Sequence, residues 1–92
     1  MTRVHVEFYG IPRLRAGVDR TIVQRDDGCL RLRDVLGELA TRYPEFGREC
    51  VDGTRLRRGF LASLDGERFV ASSDPELQSE STVLILSADA GG

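Results

Sequence analysis

The residues best suited to chemistry stand at the end of the sequence, in the pair Gly91-Gly92. Glycine makes up about 7% of average usage, so a chance pair at a chain end is expected about once in two hundred sequences. Alone, that signal is weak. Its weight comes from the side-chain-poor stretch before it, Ser87-Ala88-Asp89-Ala90. A main-chain carboxylate on such a tail can enter a narrow channel on a partner and meet the α-phosphate of ATP. Side chains would block the channel and ordered backbone would fall short of it; glycine removes both obstacles. A folded body docked on the same partner would hold the tail at high effective concentration. Activation gives an acyl-adenylate, and attack by a sulfur nucleophile turns it into a thiocarboxylate. The expected reactive group is therefore the carboxylate of Gly92, carried on Gly91, Ala90, Asp89 and Ala88.

Other side chains offer less. Cys29 and Cys50 are too few for a four-thiolate iron–sulfur cluster or a structural zinc site, and the one histidine does not complete a convincing set. No metal ligands are expected, and both cysteines read as ordinary reduced thiols. His5 falls within an alternating segment and reads as structural. All thirteen basic residues are Arg, and Lys is absent. The chain therefore cannot be extended through isopeptide bonds to its own lysines, although a compositional bias of the source genome is the weightier explanation of that absence.

The formal net charge is −2, which supplies no field to draw the protein onto nucleic acid. Arg55, Arg57 and Arg58 form the one tight basic cluster. From Leu61 onward the sequence is acidic, an arrangement that could steer the tail toward a basic partner surface or simply be a solvated face. The longest aliphatic run is Val83-Leu84-Ile85-Leu86, far too short for a membrane span, and the first residues lack a signal-peptide stretch. A cytoplasmic protein without membrane contact is expected.

The elements that must position the tail can be read from periodicity. Val4, Val6 and Phe8 alternate with Arg3, His5 and Glu7, the pattern of a half-buried strand over Arg3 to Tyr9. Gly10, Pro12 and Gly17 mark a connection, followed by a strand at Arg20 to Gln24 and a turn at Asp26-Asp27-Gly28. Leu32, Val35, Leu36, Leu39, Ala40 and Tyr43 make one stripe of a helix that Pro44 stops. The stretch from Pro44 to Gly59 lacks periodicity and reads as a long loop. Strands at Phe60 to Leu64 and Arg68 to Val70 are joined by Asp65-Gly66, where both residues tolerate positive φ. Ser72-Ser73-Asp74-Pro75 reads as a turn, and Val83 to Leu86 as a buried central strand. The order β-β-α, loop, β-β-β lets the first and last strands pair in parallel while the helix crosses one face. This is an α+β fold of the β-grasp, or ubiquitin-like, kind: a mixed sheet, one principal helix, and a division into a domain at 1–86 and a flexible tail at 87–92.

Several segments carry a resemblance. Val4-His5-Val6-Glu7-Phe8-Tyr9-Gly10, with Leu14-Arg15-Ala16-Gly17, is similar to the opening strand and loop of the MoaD/ThiS-type ubiquitin-like sulfur carriers, above all the small subunit of molybdopterin synthase. Arg33 to Pro44 resembles that family's helix, Phe60 to Glu67 its central hairpin, and Leu84-Ile85-Leu86 its approach to the Gly-Gly end. Only Gly91-Gly92 is a specific motif. The resemblance implies an E1-like adenylating partner that uses ATP, sulfur from a persulfide donor, and a sulfur-accepting biosynthetic enzyme such as a molybdopterin synthase large subunit. It implies no bound cofactor and no catalytic activity of the chain's own, which would act as co-substrate. Leu86, with Leu84 and Phe60, stands where the family presents apolar partner contacts; core packing is the competing reading of Leu86. The sequence departs from the family at Glu80-Ser81, where Gly-Asp is frequent, at Ser87-Ala88, where prolines are common, at Asp89, which charges the tail, and at Arg31, a helix-cap position that favours Ser or Thr. These departures leave cysteine, thiamine and secondary-metabolite routes open beside molybdopterin.

Two other classes remain open. A protein modifier would join Gly92 to lysines of other proteins, and a non-covalent interaction module would carry the Gly-Gly pair incidentally.

Overall fold

The computed structural model describes residues 1–66, 68–69 and 74–88. Strand β1 (Thr2–Phe8) pairs antiparallel with β2 (Arg20–Arg25), as far as Thr2 opposite Arg25 and Glu7 opposite Arg20. Between them lies a short helix, α1 (Ile11–Ala16), where a plain connection is expected from the sequence. Pro12 is tolerated there because first-turn N–H groups have no intrahelical acceptor, and Gly17 closes the helix in the left-handed conformation. On β2 the buried residue is Val23, opposite Val4; Ile22 faces the other way.

Helix α2 (Leu32–Arg42) follows the two-residue strand β3 (Leu30–Arg31) and buries Leu32, Val35, Leu36 and Leu39. Its N-terminus shows why Arg31 serves in the cap position. Asp34 accepts the Arg31 N–H at 2.8 Å, and the missing cap comes from far along the chain. The Asp74 carboxylate accepts the Arg33 N–H at 2.9 Å, and Pro75 O accepts that of Leu32 at 3.2 Å. Beside this contact, β8 (Glu76–Leu77) pairs with β3, a ladder too short to leave a sequence signal.

Pro44 ends α2, as its missing N–H and its constraint on Tyr43 require, and it also begins a second helix, α3 (Pro44–Cys50). The expected long loop is thus largely ordered structure. After α3 come the paired strands β4 (Val51–Asp52) and β5 (Arg55–Leu56), with Gly53 at positive φ between them. Phe46 and Cys50 are fully buried one helical turn apart. Phe8 meets Phe46 edge-on at 5.2 Å between centroids and Tyr43 at 6.0 Å, so α3 is stapled to the end of β1.

Strand β6 (Phe60–Leu64) turns through Asp65 and Gly66, both at positive φ, into β7 (Arg68–Phe69). Val70, expected to extend that strand, and Ser72-Ser73, expected in a turn, lie outside the described residues. Strand β9 (Thr82–Ser87) sits between β1 and β6, parallel to the first and antiparallel to the second, giving the sheet order β2-β1-β9-β6-β7. One face of this sheet, bearing Val4, Val6, Phe8, Val23, Ala62, Val83 and Ile85, forms a single core with the helices. The last strand is central, as expected, but only its alternate residues are buried.

Candidate functional site: the root of the C-terminal tail

The parallel register of β1 and β9, with His5 beside Thr82 and Phe8 beside Ile85, sends the chain's end out of the sheet at the pole where β1 also ends. Tyr9 N–H continues the ladder to Ile85 O at 2.9 Å, and Gly10 turns away at φ 64°. The last backbone tie among the described residues is the Ala88 N–H, which donates to Gly59 O at 2.7 Å. Ser87 is buried and Ala88 is exposed. Of the expected tail residues, Ala88 is therefore the point of departure; Asp89, Ala90, Gly91 and Gly92 lie outside the described residues.

The three expected partner contacts do not share a surface. Opposite residues of an antiparallel pair point the same way. Leu86 lies opposite Leu61, and Leu84 opposite Ser63, on the face of the sheet turned away from the helices. Phe60 lies opposite Ser87 on the helix side, where it packs against the core at the tail's root. The open face instead adds residues that the sequence did not single out. Leu61 is half-buried beside Leu86, Ile22 is 43% exposed on β2, and Phe69 is 62% exposed on β7. No local signal marks Leu61, because its face follows from its register opposite Leu86 and the run Phe60-Leu61-Ala62 does not alternate.

Charge around the tail also differs from the expectation of an acidic C-terminal face. The acidic residues Asp65, Asp74, Glu76 and Glu80 sit at the opposite pole. There Asp65 accepts the Thr82 N–H at 2.8 Å, and Asp74 pairs with Arg33 at 3.4 Å. Glu80 pairs with Arg3 at 2.9 Å and His5 at 2.7 Å. His5 and Arg3 hold the Glu80 carboxyl below the ordinary glutamate range. Sequence order misleads here because Asp65 and Glu80 both stand beside the start of β9.

Arginines approach the tail's root from three segments, with Asp19 and Glu49 at the same pole. Arg13 and Arg15 project from α1, which packs on β9 and α3. Arg57 and Arg58 lead into Gly59, and the Arg57 Nε–H reaches Arg48 O at 3.2 Å. None of Arg13, Arg15, Arg48, Arg57 or Arg58 has an ion-pair partner among the described residues, whereas Arg3, Arg25, Arg33 and Arg42 all do. Among thiols, Cys29 is exposed, and Cys50 is buried with its pKa pushed up to about 11 by desolvation. Among the described residues, no group of three or more His, Cys, Asp or Glu side chains could hold a metal, and no helix is long and apolar enough to cross a membrane.

A five-stranded mixed sheet with parallel first and last strands, a helix across one face and an exit for the chain's end beside β1 defines the ubiquitin-like β-grasp class. Solved structures give it closer neighbours. A Pyrococcus furiosus protein described as a molybdopterin converting factor, subunit 1, matches with a TM-score of 0.74 and 25% identity, over 95% of this chain and 98% of that one. Urm1 from Trypanosoma brucei matches with a TM-score of 0.73 and 26% identity, over 99% and 96%. A chain of the BexX/CysO complex from Amycolatopsis orientalis matches with a TM-score of 0.69 and 22% identity, over 97% and 99%. The resemblance to MoaD/ThiS-type ubiquitin-like proteins thus extends along the whole chain. No protein-family model matches the sequence, and no curated protein matches it significantly.

Proposed function

We propose that this chain is a sulfur carrier whose Gly92 carboxylate is adenylated by an E1-like partner and converted to a thiocarboxylate. The observation that supports this most is the tail's root. Backbone pairing to β1 reaches Tyr9, the last tie among the described residues is Ala88 N–H to Gly59 O, and Asp89, Ala90, Gly91 and Gly92 come next in the sequence. A chain that leaves the sheet at Ala88 can carry its carboxylate to a partner without unpairing β9. The chain acts as a co-substrate in the cytoplasm: ATP is consumed by the partner, sulfur comes from a persulfide, and a biosynthetic enzyme takes it up. Molybdopterin formation, with a synthase large subunit as acceptor, is the route we adopt, on the likeness to the Pyrococcus furiosus protein. Leu84, Leu86 and Leu61 on the open sheet face supply the apolar contact for these partners.

The test is an intact mass spectrum of the chain, free of any C-terminal tag, after incubation with an E1-like adenylating enzyme, ATP and a persulfide source. One sulfur-for-oxygen exchange located at Gly92 is expected, and deletion of Gly91-Gly92 should abolish it. An unmodified mass, with the enzyme active on another carrier, refutes the carrier reading. High-mass conjugates that vanish on deletion of Gly92 would identify a modifier instead.

A further inference from the structure

We propose that the outer edge of β2 is a strand-addition surface that Arg42 holds shut, and that β2 of a second copy of this chain occupies it when Arg42 is removed. Sulfur chemistry plays no part in this contact.

Strand β2 stands first in the sheet order β2-β1-β9-β6-β7, so one of its sides has no strand beside it. Which groups line that side follows from the register. The Phe8 N–H donates to Asp19 O at 2.9 Å, one step beyond the pair of Glu7 with Arg20. Phe8 and Asp19 therefore form a hydrogen-bonded pair of the antiparallel ladder, and so, at alternate positions, do Val6 with Thr21 and Val4 with Val23. Arg20, Ile22 and Gln24 fall between them, and their N–H and C=O groups point away from β1. A row of that kind is a template for another strand.

One helix residue interrupts the row at its middle. From the last turn of α2, Arg42 Nη1 donates to Ile22 O at 2.8 Å and to Thr21 Oγ1 at 2.9 Å. Its Nη2 donates to the Glu38 carboxylate, one turn back on the same helix, at 3.0 Å. Both arms of the planar guanidinium are thus held, one on the sheet edge and one on the helix. The central acceptor of the edge is occupied by a group that cannot be part of a strand.

A second β2 fits the edge by its own sequence. Turned antiparallel about a two-fold axis at Ile22, it sets each Ile22 opposite its counterpart, each Arg20 opposite a Gln24 and each Arg25 opposite an Asp19. Like charges do not meet across such a seam, and the Ile22 side chains, 43% exposed in the single chain, cover one another. The two Ile22 residues would exchange both N–H to C=O bonds. Arg42 occupies the acceptor of each, so the contact it prevents is the central one, and two guanidinium groups would crowd the same seam.

The test compares wild type with Arg42→Ala by sedimentation velocity and amide hydrogen exchange over a dilution series up to millimolar protein, with circular dichroism to confirm the fold. In wild type, exchange at Ile22 and Gln24 should not depend on concentration. Arg42→Ala should dimerise, with both amides increasingly protected as concentration rises. Freeing two hydrogen bonds, each contributing about fivefold, should lower the dissociation constant roughly 25-fold. Ile22→Pro added to Arg42→Ala removes an N–H that β1 does not use and the seam needs, so the double variant should be monomeric. If Arg42→Ala does not fold, Glu38→Gln replaces it: the change is exposed, frees one arm of Arg42 and should strengthen association by a smaller factor. A folded Arg42→Ala that stays monomeric, a dimer that survives Ile22→Pro, or concentration-dependent protection of the Ile22 amide in wild type would each overturn the proposal, as would an unchanged Glu38→Gln where it stands in.

Discussion

Alanine in place of glycine is the same chemical change at positions 37 and 47, yet the structure gives it opposite signs. Gly37 is an exposed interior residue of α2, and a Cβ added there meets nothing within 4 Å. Relief of glycine's helix penalty should stabilise Gly37→Ala by about 1 kcal/mol. Gly47, in α3, earns the same term but faces α2. Its Cβ would stand 2.8 Å from the Cβ of Ala40 and 2.9 Å from both the Cα and the O of that residue. Two of these three atoms are backbone, fixed by the buried neighbour Leu39, so they cannot rotate away as a side-chain tip could. Overpacking of this kind costs roughly 1–3 kcal/mol, and the backbone contacts place it in the upper half. After the helix gain, Gly47→Ala should be destabilised by about 1–2 kcal/mol. At about 4–8 °C per kcal/mol for a domain of this size, the melting temperature should rise for Gly37→Ala and fall for Gly47→Ala. Circular dichroism during thermal and urea unfolding reads both, with the urea slope unchanged between variants. A midpoint for Gly47→Ala at or above wild type would refute the close approach of α2 and α3.

Two further outcomes are expected. Under native conditions a thiol reagent should label Cys29 alone, and Cys50 should react only after denaturation, because burial excludes the reagent and keeps that thiol protonated; peptide mapping of the labelled protein would show it, and equal labelling of both would contradict the packing of α3. Glu80 bonds to His5 and Arg3, and its pKa is lowered on folding, so its contribution to stability is present above the ordinary glutamate range and is lost as pH falls through the lowered folded value. Glu80→Gln should therefore melt below wild type at neutral pH and coincide with it in strong acid, and a difference that persists in acid would show that the carboxylate is not the cause.

The alternation of Val4, Val6 and Phe8, the stripe from Leu32 to Leu39 and the Asp65-Gly66 turn were legible because each is a local periodic or φ-specific signal repeated over enough residues. Those signals sufficed for the β-grasp order and for the parallel pairing of the first and last strands. Helix α3 was hidden because seven residues with Gly47 inside show only one i, i+4 pair, Phe46 and Cys50. Glu80 is a different case. It holds φ at 70°, a conformation that favours glycine, at one of the two positions where the sequence departs from the family's frequent Gly-Asp. Its bonds to Arg3, 77 residues away, and to His5, 75 residues away, compensate, and no local window contains them.

The proposed reactive end is read from sequence alone, since the Gly91-Gly92 pair needs no neighbours to be identified. What surrounds it was decided by tertiary structure. Strand pairing carried Asp65 and Glu80 to the far pole, and tertiary packing brought Arg13, Arg15, Arg48, Arg57 and Arg58 from three separate segments toward the tail's root. It also turned Phe60 inward while leaving Leu84 and Leu86 on the open face. The physical reason is that side-chain direction along a strand alternates with period two, so a residue's face is fixed by its register against β9 and not by its hydrophobicity.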